Sequence, residues 1–349
     1  MQGHLLDMGY DEIFALLKDM GEPAYRGVQV FSWINKGAGY SDMANIPKSL
    51  RERLAAEYPE GHAEMIRKQV SELDGTTKYL FKTYGGSMIE SVVMEYRHGR
   101  TICISTQEGC RMGCLFCAST IGGMVRNLEA GEMLSQVVYA NRDMGGERAL
   151  TNIVLMGSGE PLENYNETIR FLRLVHDERG LGVSYRNISL STCGVADGIR
   201  RLADEGMPVT LCLSLHAPDD ALRKTIMPGA SRYPISEILD AVKSYFKITG
   251  RRIIIEYVLI QGVNDDEQHA IELSRLLSGM TCHVNLIKLN SVEESPLQGS
   301  TDKAAALFLK TLADHKISAT RRRTMGADID GACGQLRRRE ENREKENWE

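Results

Sequence analysis

Apolar residues recur three and four positions apart through much of the first sixty residues of the chain. This spacing places the apolar side chains on one face of a helix, where they can pack against a neighbour. It predicts helices over residues 11–20, 26–36 and 47–58. The N-terminal part of the chain is therefore expected to form a helical accessory module, to which we assign residues 1–75.

The pattern changes to extended segments from residue 78. Residues 78–84 and 87–96 are joined by Gly85 and Gly86, which is typical of a β-hairpin. A second turn signal at residues 98–100 precedes another extended segment. We therefore expect a small β-hairpin extension over residues 76–100.

Short β-branched runs alternate with helical stretches from residue 101 onwards. The expected strands cover residues 101–105, 153–156, 188–190, 209–215, 253–259 and 283–289, with 318–322 as a possible addition. Repeated strand–helix units predict a parallel sheet, and about six of them suit an α/β fold, a partial (β/α)6 barrel over residues 101–336. The charged residues 337–349 are expected to fray as a C-terminal tail.

Composition and charge narrow the class of protein. The 349 residues are 42% hydrophobic and 26% charged, which is typical of globular proteins. The longest apolar run, residues 253–260, is interrupted by Glu256, and the N-terminus lacks a signal-peptide pattern, so we expect a cytoplasmic protein without membrane contact. A net charge of −5 argues against coating nucleic acid broadly. The arginine runs at 321–323 and 337–339 still allow a local basic surface.

The eight cysteines favour metal ligation over a disulfide framework in that compartment. Cys110, Cys114 and Cys117 directly follow the first expected barrel strand. Their spacing suits three corners of a [4Fe–4S] cluster and leaves one iron open to bind S-adenosylmethionine. A structural zinc site is the alternative, although such sites usually have a fourth ligand close by. The spacing resembles that of the radical S-adenosylmethionine enzymes.

Further candidate residues lie where the expected parallel strands end, which is where chemistry collects in such barrels. Gly159 would let the backbone approach a ligand, and Glu160 offers a charge for an ammonium group. Short polar side chains follow the later strands: Ser191, Ser214, His216 and Asn290. Each alone is more typical of a turn, a cap or a structural residue, but their shared location favours a ligand site.

Two more cysteines and one glutamate are candidates for chemistry. Cys103 shares a strand face with two polar residues and should point into the barrel lumen. Cys333 lies in a glycine-rich loop beside arginines, which favours an exposed, reactive thiol. Glu90 shares a face with apolar residues, which suits a buried general base; a solvated edge-strand glutamate is the alternative. The remaining cysteines are expected to be buried apolar groups: Cys193, Cys212 and Cys282.

Four segments are distinctive when taken together: residues 101–105 leading into the cysteine triplet, 159–162, 214–218 and 328–336. In combination they resemble the RlmN/Cfr family of radical S-adenosylmethionine RNA methyltransferases. Residues 21–26 are also similar to the accessory domain of that family. The resemblance extends over nearly the whole chain, and the segments occur in the order found in the family.

The resemblance implies a reaction in which two S-adenosylmethionine molecules are used per turnover with one [4Fe–4S] cluster. The first methylates Cys333, and the second yields a 5′-deoxyadenosyl radical that takes hydrogen from this methyl group, whose carbon then adds to adenine. Cys103 would release the product through a transient disulfide with Cys333, and Glu90 aligns with the proton acceptor of the family. The residues implied to hold S-adenosylmethionine are Gly159, Glu160, Ser191, Ser214, Leu215, His216 and Asn290.

The implied partners are 23S rRNA, tRNA and an external electron donor of the flavodoxin or ferredoxin type, with the protein acting as a monomer. RlmN members act on C2 of adenine and Cfr members on C8; Pro161, where Cfr carries alanine, favours C2. A C8 methyltransferase is the alternative, and an RNA-binding protein with a structural zinc site is a more distant one. Leu289 and Ser291 depart from the tryptophan and proline that flank Asn290 in many RlmN sequences.

Overall fold

The computed structural model describes residues 3–59, 63–83, 85–146, 148–289, 295–329 and 334–346. Two residues that the sequence marks as functional, Asn290 and Cys333, lie outside these ranges. Across the described ranges, no helix is both long enough and apolar enough to span a membrane.

Three helices at the N-terminus pack around a small core of their own. Their bounds are α1 Tyr10–Asp19, α2 Tyr25–Asn35 and α3 Lys48–Glu57, each within one residue of the predicted limits. Buried side chains spaced three and four apart, such as Ile13 and Leu17, supply this core. The three predicted helices are thereby confirmed.

The strands form one mixed sheet and one small hairpin. The strands are β1 Ala63–Val70, β2 Thr77–Thr83, β3 Met88–Tyr96, β4 Gly99–Cys103, β5 Gln107–Gly109, β6 Met124–Asn127, β7 Asn152–Leu155, β8 Ile188–Thr192, β9 Thr210–Ser214, β10 Ile253–Leu259, β11 Cys282–Lys288 and β12 Ala319–Arg321. In the described part of the chain the sheet has ten strands, in the order β1-β2-β3-β4-β7-β8-β9-β10-β11-β12. The separate hairpin consists of β5 and β6.

The sheet has an antiparallel and a parallel half. Strands β1 to β4 are antiparallel neighbours, whereas β4, β7, β8, β9, β10 and β11 run parallel and a short β12 joins their end. The helices of this half are α4 Ala130–Asp143, α5 Tyr165–His176, α6 Ala196–Asp204, α7 Asp220–Ile226, α8 Ile235–Thr249, α9 Glu267–Leu276 and α10 Asp302–Asp314. The predicted partial (β/α)6 barrel is confirmed.

Alternate side chains at the end of β4, and at the residue that follows it, point to opposite faces of the sheet. Ile102 and Ile104 are fully buried in the large core that the sheet and its helices share. Cys103 points to the other face and packs with Val92 and Met94. This is the alternation expected of a strand, and it places the Cys103 thiol on the predicted face.

The first strand, β1, was not predicted from the sequence. It pairs with β2 in a segment that the sequence assigned to the helical module. Apart from Ala63, the strand is exposed or half-buried along its whole length. Because it lies at the edge of the sheet with both faces largely in solvent, it lacks the apolar and polar alternation that reveals a half-buried strand.

The charged C-terminal segment forms a helix as far as it is described, so the prediction of a frayed tail is wrong for residues 337–346. This helix, α11, covers Gln335–Glu346. Leu336 at its start is buried against Leu80 and Met88, and Glu340 pairs with Arg67 of β1. Short helices are marginal in isolation, and packing against the hairpin strands supplies the missing stability.

Candidate active site

A cavity of about 280 Å³ opens at the carboxyl ends of the parallel strands. It brings together most of the residues that the sequence marks as functional, as expected for this architecture. Its lining includes Cys110, Cys114, Cys117, Gly159, Glu160, Ser191, Ser214 and His216. Leu215 lies between two lining residues and is itself fully buried.

The cysteine triplet lies on the loop that joins β5 to β6. The loop is held through its main chain: Cys110 N–H donates to the Gly123 carbonyl at 3.2 Å, and Leu115 N–H donates to the Ile226 carbonyl at 3.0 Å. A third bond runs from Gly229 N–H to the Met112 carbonyl at 2.9 Å. These main-chain hydrogen bonds fix the course of the loop that carries the three thiols.

The three thiols influence one another. Burial raises the pKa of Cys110 to about 12 and that of Cys114 well above its ordinary value, and in both cases the neighbouring Cys117 adds to the effect. Among the described residues, no three His, Cys, Asp or Glu side chains converge on the position of a single metal ion. A cubane cluster does not require such convergence, because each thiolate binds a different iron and loses its proton on binding. The donor set fits a [4Fe–4S] cluster held by three thiolates.

Glu160 joins two loops at the edge of this cavity. Its Oε2 accepts a hydrogen bond from Cys193 N–H at 2.7 Å, and its Oε1 accepts one from Leu162 N–H at 3.0 Å. Burial raises the pKa of Glu160, although these hydrogen bonds oppose the change. The carboxylate is thus held rigidly where the sequence places a partner for an ammonium group.

Gly159 shapes the bend that carries Glu160 into position. Its φ of +109° lies in a region that side-chain-bearing residues rarely adopt. A Cβ atom there would lie 2.6 Å from Cβ of Gln107 and 2.7 Å from its main-chain nitrogen. The bend therefore requires glycine for both its conformation and its close packing.

Two serine hydroxyls face each other across neighbouring strands. Ser191 Oγ lies 3.2 Å from Ser214 Oγ, at the ends of β8 and β9. A hydroxyl can both donate and accept, so this pair can bind the hydroxyls of a ribose or a carboxylate.

His216 presents a neutral imidazole. Its Nδ1 accepts a hydrogen bond from Val258 N–H at 3.0 Å, which places the ring proton on Nε2. Burial, with a further contribution from Arg223, lowers the pKa of His216 to about 3. Its ring stands nearly perpendicular to the ring of Phe116, with an interplanar angle of 79° and centroids 5.0 Å apart. His216 can therefore act as a hydrogen-bond donor next to the cysteine loop.

Arg223 is a buried residue that the sequence left unassigned. Its side chain is 1% exposed, and its guanidinium donates hydrogen bonds to the main-chain carbonyls of Leu215, Ala230 and Cys193. It thereby ties together the turns that follow β8 and β9. An arginine in a short polar helix ordinarily faces solvent, so the sequence carried no signal of this role.

Glu256 is a second residue without an assignment from the sequence. It is 3% exposed on β10 and lines the cavity, where Oε1 accepts a hydrogen bond from Asn285 Nδ2 at 3.0 Å. Within the described residues its Oε2 has no hydrogen-bond partner. The sequence did contain a signal for this residue, since Glu256 is the one charge that interrupts an apolar strand. Burying a carboxylate costs free energy, so a buried one indicates a functional or structural role.

Glu90 is buried, as one of the two readings of the sequence expected, and the solvated alternative is wrong. Its side chain is 7% exposed and lies 3.1 Å from Nζ of the fully buried Lys78. The carboxylate also accepts hydrogen bonds from Gly334 N–H at 2.5 Å and Arg337 N–H at 2.6 Å. Glu90 therefore contacts the start of α11, outside the lining of the cavity.

Gly334 connects the C-terminal segment to the cysteine loop. A Cβ atom on Gly334 would lie 2.9 Å from the carbonyl carbon of Ala118 and from the main-chain nitrogen of Ser119. These two residues directly follow Cys117. The residue that comes after Cys333 in the chain is thus packed against the end of the triplet loop.

The other cysteines are buried, as expected. Cys193, Cys212 and Cys282 are 7%, 2% and 8% exposed. Cys193 also lines the cavity, a position that the sequence did not predict for it. Burial raises the pKa of all three thiols.

Comparison with known proteins defines the class first. Residues 104–274 match the radical SAM superfamily, and residues 4–58 match the ribosomal RNA large subunit methyltransferase N-terminal domain. A crystal structure of a radical SAM methyltransferase from Sphaerobacter thermophilus superimposes with a TM-score of 0.91 at 43% identity, covering 95% of this chain and 98% of that one. The chain is thus a radical SAM methyltransferase in fold, with the [4Fe–4S] cluster and S-adenosylmethionine that this superfamily implies.

Curated relatives then identify the family. The probable dual-specificity RNA methyltransferase RlmN of Clostridium novyi is 47% identical over 337 residues, 96% of this chain and 98% of its own length. That of Alkaliphilus metalliredigens is 50% identical over 336 residues, 96% and 95% of the two chains. The chain belongs to the RlmN family of radical SAM RNA methyltransferases.

Proposed function

We propose that this protein methylates C2 of an adenine in RNA by way of a methyl group carried on Cys333. The observation that carries the proposal is the position of Gly334 against the end of the triplet loop. Gly334 packs against Ala118 and Ser119, which line the cavity, and it is the residue that follows Cys333 in the chain.

The chemistry of the target atom explains why a carrier is needed. C2 of adenine is an electron-poor amidine carbon without a lone pair, so it cannot attack a methyl sulfonium. When bound, the cluster supplies the electron that splits S-adenosylmethionine reductively. Cys333 would first accept a methyl group by displacement. This group would lose one hydrogen atom to the 5′-deoxyadenosyl radical, and its carbon would join the ring to leave a thioether between protein and RNA. After the ring has given up its C2 proton and one electron has returned to the bound cluster, the Cys103 thiolate would attack the Cys333 sulfur. The carbon–sulfur bond then breaks as the disulfide forms, and the electron pair left on the carbon takes up a proton to complete the methyl group.

The cavity residues divide the binding of S-adenosylmethionine among them. Cys110, Cys114 and Cys117 hold the cluster. Gly159 and Glu160 receive the amino group, and the hydroxyls of Ser191 and Ser214 suit ribose or carboxylate oxygens. Neutral His216 adds an N–H donor, Leu215 contributes through its main chain, and Asn290 is assigned a contact although it lies outside the described residues.

The proposed substrates are the adenine at the peptidyl transferase centre of 23S rRNA and an adenine beside the anticodon of certain tRNAs. Relatives described as dual-specificity RNA methyltransferases support two kinds of RNA substrate. Pro161 favours C2 over C8. We further propose that the N-terminal helical module binds RNA, that a flavodoxin-like or ferredoxin-like protein donates electrons, and that the enzyme works as a cytoplasmic monomer.

Mass spectrometry of the modified nucleoside tests this proposal. Reconstituted enzyme incubated with 23S rRNA and S-adenosylmethionine should yield 2-methyladenosine, and the Cys333→Ala variant should yield none because the carrier is missing. Cys212→Ala, which removes a buried thiol outside the cavity, should retain activity. Formation of 8-methyladenosine would overturn the C2 assignment, and normal methylation by Cys333→Ala would overturn the carrier.

A further inference from the structure

A buried ion pair joins two strands of the hairpin extension. Lys78 lies on β2 and Glu90 on β3, with 0% and 7% of their side chains exposed and 3.1 Å between Nζ and Oε2. Removing both charges from water carries a desolvation penalty that their attraction only partly offsets. Such a pair gives little net stability by itself, so its other contacts indicate what it does.

Those contacts are with the beginning of α11. The first N–H groups of a helix have no partner within it, and Glu90 accepts hydrogen bonds from two of the N–H groups at this end, those of Gly334 and Arg337. The negative charge also opposes the unfavourable effect of the consecutive arginines 337–339 at the positive end of the helix dipole. Glu90 therefore caps α11 from a neighbouring element.

An apolar contact reinforces the cap. Leu336 is 1% exposed and packs between Leu80 and Met88, which lie two residues from Lys78 and Glu90 on the same strands. Since alternate residues of a strand share a face, all four side chains present one surface to the helix. The start of α11 is thus fixed by charge and by packing together.

The other end of the same segment is also attached to the hairpin. The carboxylate of Asp328 accepts hydrogen bonds from Ser71 Oγ at 2.5 Å and from Glu72 N–H at 2.8 Å. Asp74 accepts one from Gly326 N–H at 2.9 Å. The turn between β1 and β2 therefore anchors the residues before Cys333, as Glu90 anchors those after it.

We propose that Lys78 and Glu90 are positioning residues, which hold Gly334 against the triplet loop and thereby set the reach of Cys333. Consecutive Cα atoms lie about 3.8 Å apart, so fixing Gly334 confines its neighbour in the chain. Glu90 then orients the carrier, a task separate from the proton transfer that the resemblance implies for it. The inference rests on the proposed carrier role of Cys333.

The test separates methylation of the protein from methylation of RNA. Glu90→Ala, Glu90→Gln and Lys78→Met are compared with wild type and with Glu95→Gln, which alters a carboxylate on the same strand whose side chain is 56% exposed. Three quantities are measured without RNA: the rate at which Cys333 gains a methyl group, the affinity for S-adenosylmethionine, and hydrogen exchange of residues 334–340.

Glu90→Ala and Lys78→Met should slow methylation of Cys333 by about 100-fold, the loss of rate that a 1 Å displacement of a reacting group can cause. Their affinity for S-adenosylmethionine should be unchanged, and exchange at Gly334 and Arg337 should be faster. Glu90→Gln keeps an oxygen acceptor and should restore part of the rate. Glu95→Gln should match wild type.

Methylation of Cys333 at the wild-type rate in these variants, with loss of RNA methylation alone, would show that Glu90 acts only in proton transfer and would overturn the inference. Unchanged exchange at the start of α11 would overturn it as well. The double variant Lys78→Met/Glu90→Gln leaves no buried charge unpaired and gives the same comparison if a single variant fails to fold. Absence of a methyl group on wild-type Cys333 would instead refute the proposed function, while the exchange measurement would still test the anchor.

Discussion

The Cys114→Ala variant is expected to lose RNA methylation completely, together with its iron and sulfide. Cys114 lies in the middle of the triplet and lines the cavity with its two partners. Two thiolates cannot replace three at a cluster that already leaves one iron for the substrate. Iron and sulfide analysis, visible absorbance and 5′-deoxyadenosine formation after anaerobic reconstitution would measure the loss.

Cys282→Ala is the matched control for this variant. Cys282 is also buried, at 8% exposure, but it lies at the start of β11 and outside the cavity lining. The control should bind a normal amount of iron and remain active. Full turnover by Cys114→Ala, or iron loss in both variants, would contradict the assignment of the triplet.

Gly159→Ala is expected to destabilise the protein by about 2–5 kcal/mol, since left-handed strain contributes about 1–2 kcal/mol and overpacking about 1–3 kcal/mol. The added Cβ would collide with both the side chain and the main chain of Gln107, so the bend carrying Glu160 must shift. Affinity for S-adenosylmethionine should fall with stability. Chemical unfolding of the apoprotein and equilibrium binding would measure the two effects.

Gly206→Ala separates strain from collision. Gly206 also has a positive φ, +67°, but nothing lies within 4 Å of the position of its Cβ. It should lose only the conformational part, about 1–2 kcal/mol, and bind S-adenosylmethionine normally. Equal effects from the two substitutions would mean that close packing at Gly159 has no role in shaping the site.

The sequence predicted correctly those features that depend on residues close together in the chain. Periodicity located α1, α2 and α3 within one residue, and the spacing of Cys110, Cys114 and Cys117 alone marked the metal-binding loop. The strand endings also predicted which polar residues would meet, because parallel strands bring their carboxyl ends to one edge. Ser191 and Ser214, 23 positions apart, lie with hydroxyls 3.2 Å apart.

The remaining features depend on contacts between distant parts of the chain. In the sequence, Lys78 and Glu90 are ordinary hairpin residues. Their role depends on the start of α11, where Gly334, 244 positions after Glu90, donates a hydrogen bond to its carboxylate. In the sequence Arg223 resembles a surface residue, but in the structure its guanidinium is buried and donates hydrogen bonds to three main-chain carbonyl groups. β1 has no alternating pattern because neither of its faces is well buried. In each case the partner, not the residue itself, determines the role.

The fate of the methyl hydrogens tests the central claim, that Cys333 carries the methyl group to an unreactive ring carbon. The enzyme is supplied with S-adenosylmethionine whose methyl group is fully deuterated, and the methyladenosine product is analysed by mass spectrometry. A carrier route breaks one carbon–hydrogen bond of the methyl group, so the product should retain two of the three deuterons, with the third in 5′-deoxyadenosine. A product that retains all three would show direct methyl transfer and contradict the account.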